Sequence, residues 1–89
     1  MTNRIEPMLV CTDGKIVPVT PNNGLDFTLS ELQKFVGGYI ELMYLPEDKV
    51  LVVNEDGLFK GLSLNAFASG LVGRPIVGNV VYMQSEMVK

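Results

Sequence analysis

The residues able to do acid–base or ligand chemistry are present but dispersed. Glu41 stands in a run of β-formers, Glu47-Asp48 in one turn-like segment and Glu55-Asp56 in another. Two carboxylates brought together in space can work as acid and base or hold a cation. Turns also select such residues for their own backbone bonding, which accounts for these without a site. A denser polar group is Asn54, Glu55, Lys60, Gly61 and Asn65. Lys60 supplies charge, Gly61 permits close backbone approach, and each asparagine offers a donor and an acceptor. These residues form the candidate ligand-binding rim. For Asn54 and Asn65 the structural alternative, which is favoured, is that they hold turns and caps through side-chain-to-backbone bonds. Tyr39, Tyr44, Tyr82 and Phe59 are candidates for an interaction surface, against a default place in the core.

The composition closes off several chemistries. There is no histidine, so Cys–His and Ser–His–Asp catalysis within the chain is excluded, as are zinc sites of the Cys/His kind. Cys11 is the single cysteine, cannot form an internal disulfide, and reads as a buried strand residue. Gly37-Gly38 follows a helical pattern instead of preceding one, so it sits at the end of a helix that repels anions. No catalytic residue, cofactor or metal ligand is assigned. The net charge of −3 and pI near 4.7 argue against nucleic-acid binding through a basic face.

The elements that must position the rim are led by Phe27 to Tyr39. Thr28 with Glu31 makes a capping box, and Phe27 with Leu32 a hydrophobic staple. Leu29, Leu32, Phe35 and Val36 give one apolar helical face, and Gly37 supplies the left-handed stop. Upstream, Met8–Cys11 and Lys15–Val19 flank an Asp13-Gly14 turn, and Pro18 marks the second run as an edge. Downstream, Tyr39–Leu45 and Lys49–Asn54 form a second hairpin around Pro46-Glu47-Asp48. Val50–Val53 is apolar throughout, as in a strand covered on both faces. Leu58–Leu62 reads as a short further strand, Ser63 to Gly70 as a one- or two-turn helix, and Ile76–Met83 as the last strand with a bulge at Gly78. The order is ββαββ(β)αβ: an α+β fold, a mainly antiparallel sheet of about five strands with one capped helix on one face. Residues 1–89 make a single domain, with 1–6 and 86–89 as loose termini.

Leu32-Gln33, Val36-Gly37-Gly38-Tyr39-Ile40-Glu41, Asn54-Glu55-Asp56-Gly57, Gly61-Leu62-Ser63-Leu64-Asn65 and Ile76-Val77-Gly78 stand in an order that resembles the family called domain of unknown function 3846. Its members are small proteins of phages, plasmids and other mobile elements, and of bacteria that carry them. The family pattern has Pro where Ser63 stands and Arg where Ala66 stands, so a charged group is missing beside Asn65. The resemblance implies neither a catalytic residue nor an activity.

The first expectation is therefore an accessory protein of a mobile element or its host, binding a protein partner or a small molecule without catalysis. The second is a structural homodimer that buries Tyr39, Met43, Leu45 and the last strand, consistent with a hydrophobic content of 47%. A metal-dependent enzyme using Glu41, Glu55 or Asp56 comes third. No segment has the pattern of a signal peptide or the length of a membrane helix, so a cytoplasmic location is expected.

Overall fold

The computed structural model describes residues 4–89. Five strands form one antiparallel sheet: β1 (Met8–Val10), β2 (Ile16–Pro18), β3 (Ile40–Leu45), β4 (Lys49–Asn54) and β5 (Val80–Gln84). Their spatial order is β2-β1-β5-β4-β3, so the last strand joins the two hairpins. Two helices are interspersed, α1 (Leu29–Val36) and α2 (Ala66–Val72).

Helix α1 starts and stops as the residues dictate. Thr28 Oγ1 accepts the Glu31 N–H at 3.2 Å, while Glu31 Oε1 accepts the Thr28 N–H at 2.8 Å. Gly37 ends the helix in the left-handed region at φ 81°. Leu32 and Val36 bury its apolar face against Val50, Val52, Val81 and Met83, with Phe27 beneath Phe35 edge to face at 6.0 Å. The Glu31 carboxylate also accepts the Asn22 N–H at 2.9 Å. The N–H groups of Thr28 and then Asn22 hold its pKa below the ordinary glutamate range. A carboxyl lowered in the folded state contributes stability above its unfolded pKa and loses it as pH falls through the folded value. The thermal midpoint should therefore drop below about pH 4.5, and drop less in Glu31→Gln. Melting curves from neutral to acid pH test this, and parallel profiles for the two proteins would refute it.

Helix α2 covers the opposite face. Ala68 is fully buried on Val10, Leu51, Val53, Ile76 and Val80, and Phe67 meets Tyr82 with ring centroids 5.8 Å apart. The sheet is thus sandwiched, which explains why every residue of β4 is buried.

Several expectations need correction. Leu58–Leu62 is a compact turn, closed by Lys60 N–H to Asp56 O at 3.0 Å and Leu62 N–H to Gly57 O at 3.1 Å. Helix α2 is capped by Asn65 and stopped by Gly73, not bounded by Ser63 and Gly70. Residues 63–65 are committed to a short bridge with 76–78, through Gly78 N–H to Ser63 O and Asn65 N–H to Ile76 O, both 2.8 Å. That bridge takes Ile76 and Val77 from the last strand, which begins at Val80. Cys11 is half-buried just past β1, where its N–H donates to Lys15 O. The 86–89 tail is held down: Lys89 N–H donates to Phe27 O and Phe27 N–H to Met87 O. Of the expected loose lead-in, residues 1–3 lie outside the described residues. Arg4 pairs with Glu86 at 2.9 Å, and Ile5 N–H donates to Gln84 Oε1 at 2.9 Å.

Candidate functional site

The polar rim divides into two separate groups. The first gathers where α1 ends. Asn54, last residue of β4, turns its amide under the helix: Nδ2 donates to Val36 O at 3.0 Å, and Oδ1 accepts the Asp56 N–H at 2.8 Å. Lys60 crosses back from the 55–62 turn, and its Nζ donates to Gly37 O at 3.1 Å. Both cations and amides suit this end of a helix, whose last carbonyls lack partners along the chain. Gly38 leaves room for the approach: a Cβ there would stand 2.5 Å from Lys60 Nζ, the movable end of a long side chain, and 3.1 Å from Asn54 Nδ2.

The second group is Asn65, 1% exposed and on the α2 side of the sheet. Its Nδ2 donates to Val10 O at 3.0 Å and to Gly78 O at 2.9 Å, while Oδ1 accepts the Ala68 N–H at 3.1 Å. Every polar atom of this amide is engaged with backbone. Both asparagines therefore make the side-chain-to-backbone bonds of the structural alternative. Glu55 is exposed with its N–H bonded to Tyr39 O at 2.9 Å, and Gly61 takes φ 66° with open space around it.

The close backbone approach that sequence assigns to Gly61 belongs to the other turn glycine, Gly57. Gly61 supplies the positive φ, whereas Gly57 supplies the close approach, since a Cβ there would stand 2.8 Å from Val77 Cγ2. Leu62 likewise packs on Gly78. The 55–62 turn is thereby seated on 77–78 and lifts its tip into solvent. At that tip Leu58 is 79% and Phe59 95% exposed. Tyr39, bonded through its carbonyl to the base of the turn, is 67% exposed. Sequence reasoning named Phe59 and Tyr39 as surface candidates but passed over Leu58. The signal available was two consecutive large apolar residues directly after a turn glycine.

Two hollows adjoin this turn. One of ≈430 Å³ lies at the end of α1 and is lined by Gln33, Lys34, Tyr39, Asp56 and Lys60 among others. The other, ≈110 Å³, lies on the α2 side between Glu41, Glu55, Leu58 and Arg74. Arg74 reaches over Met43, Nη2 to Sδ 3.7 Å. Among the described residues, no three carboxylate or thiol side chains come together as a metal site. Of the remaining tyrosines, Tyr82 is half-buried against Phe67 and Tyr44 is exposed on β3.

Fold and surface define a small α+β domain, a sheet between two short helices with one hydrogen-bonded turn projecting from it. The chain belongs to the family described as a domain of unknown function (DUF3846), whose model matches residues 5–87. Neither the curated proteins nor the solved structures give a match.

Proposed function

We propose that this chain is an accessory protein of a mobile element or its host, acting in the cytoplasm by non-catalytic binding of a protein partner. The mobile-element part rests on the resemblance drawn from the ordered motifs. The cytoplasmic part carries over the expectation stated for the sequence; among the described residues no helix is long and apolar enough to cross a membrane. One observation carries the binding reading: Leu58 and Phe59 stand exposed on a turn held in place by Gly57, Leu62 and Asn54. Exposed adjacent apolar side chains on a fixed support give a partner contact area without the cost of ordering a loop. Asp56 and Lys60 give the tip a polar border, and with Tyr39 they line the hollow that adjoins the turn.

The test compares wild type with the double variant Leu58→Ser, Phe59→Ser as immobilised bait. Stability should change by less than about 0.5 kcal/mol, because the residues touch solvent. Partner affinity should fall roughly 30-fold or more, the loss expected of a central aromatic anchor. Equal retention of the same partner by both baits would overturn the assignment. A second reading, a small polar ligand in the ≈430 Å³ hollow, is favoured by Lys34, Asp56 and Lys60 on its wall. A ligand-induced thermal shift that Lys34→Ala abolishes and the double variant retains would select it.

A further inference from the structure

The sheet has two open edges, and they are built differently. β2 is short and carries Pro18. β3 is six residues long, holds neither proline nor lysine, and has Glu41 as its one charge. Among the described residues nothing pairs with its outer side. Such an edge is a template for another strand.

Backbone alternation identifies the open groups. Tyr39 O accepts the Glu55 N–H, and the register continues from Ile40–Asn54 to Leu45–Lys49. Bonded and non-bonded pairs alternate along an antiparallel ladder. Glu41, Met43 and Leu45 therefore bond inward to β4, and the N–H and C=O groups of Ile40, Leu42 and Tyr44 face outward.

We infer that this chain forms a homodimer in which β3 pairs antiparallel with β3 of a second copy, about a two-fold axis at Leu42. That register opposes Leu42 to Leu42 and Ile40 to Tyr44, so the outward groups of all three residues find partners. Each Ile40–Tyr44 pair sets a β-branched residue against an aromatic one, a favourable cross-strand combination. Moving the axis to Met43 would oppose Ile40 to Pro46, which has no N–H to give.

Charge selects a second copy over an unrelated strand. On the α2 side, the Leu42-centred register opposes Met43 of one copy to Glu41 of the other. The Arg74 guanidinium already lies over Met43, where that carboxylate arrives. Past the strand ends, the Glu47-Asp48 turn of one copy falls beside Gly37-Gly38 of the other, next to Lys34 and Lys60. Two-fold symmetry repeats both pairings. The two Glu41 side chains lie diagonal to one another, about 7–8 Å apart, and are exposed to screening salt. This interface does not depend on what the Leu58-Phe59 tip binds.

Light scattering and sedimentation of the full chain across a concentration series test the inference. Wild type should show twice the chain mass. Leu42→Pro removes an outward N–H and no ladder bond to β4, so it should raise the dimer Kd at least about tenfold with an unchanged far-ultraviolet circular dichroism spectrum. Glu41→Arg alone should weaken association, and Glu41→Arg with Arg74→Glu should restore it; both changes are on exposed side chains that leave folding intact. A wild-type protein that stays monomeric at about 100 μM overturns the inference. So does a dimer indifferent to Leu42→Pro, or a charge reversal that the second substitution fails to rescue.

Discussion

Replacing Asn65 with alanine should destabilise the protein by about 3–4 kcal/mol, a large share of what a domain of this size possesses. Three backbone groups lose their partner together: Val10 O, Gly78 O and the Ala68 N–H. A buried orphan costs about 1–3 kcal/mol, and a lost cap about 1 kcal/mol. The site is closed to solvent, so water replaces little of this. Asn65→Ser separates the parts, since its hydroxyl can still cap α2 while the two carbonyls stay unpaired. It should recover only about 1 kcal/mol of the loss. Urea unfolding at constant slope measures all three proteins. A loss under about 1 kcal/mol for alanine would show that β1 and the 76–78 segment do not depend on this amide.

Asn54→Ala should cost about 2–3 kcal/mol, because it strips Val36 O and the Asp56 N–H of the same side chain. Lys60→Ala, at the same joint, should cost under about 0.5 kcal/mol, because its bond to Gly37 O is exposed and water can substitute. The contrast decides which of the two residues fixes the projecting turn. In Asn54→Ala the Asp56 amide should exchange faster with solvent, and partner binding through Phe59 should weaken without any change at the tip itself. Equal losses for both variants, or unchanged exchange at Asp56, would assign the turn's rigidity elsewhere, to Gly57 on Val77.

The elements that sequence made legible are those governed by near neighbours. The Thr28–Glu31 box, the Phe27–Leu32 staple and the Gly37 stop all act within one helix and its flanks, and each stands where the spacing puts it. Pro18 marks an edge strand because the missing N–H is a local fact. The all-apolar run at Val50–Val53 is central because no polar face exists to leave wet. What stayed hidden depends on distant partners. Ser63 looks as good a cap as Asn65 until the 76–78 segment arrives to pair with residues 63–65 and holds them extended. Asn65 serves Val10 O across 55 residues of sequence, a partnership no spacing rule encodes. The expected dimer surface failed in one part for the same reason. The last strand lies between β1 and β4 with Val80, Val81 and Met83 fully buried, so it has no face to offer. The candidate rim was legible as polar residues near turns, but not as two groups on opposite sides of the sheet.

The placement of β5 also sets the order in which the molecule can be assembled. The two hairpins and α1 are made of segments close in sequence, and each can begin to organise as it is synthesised. Neither hairpin touches the other in the ladder: β1 and β4 meet only through residues 80–84. Until that segment leaves the ribosome, Leu51 and Val52 lack the Tyr82 and Val81 that stand opposite them, and neither hairpin alone makes a stable sheet. Closure of one sheet from the two hairpins therefore requires residues 80–84. A nascent chain halted before Val80 is the form most in need of a chaperone.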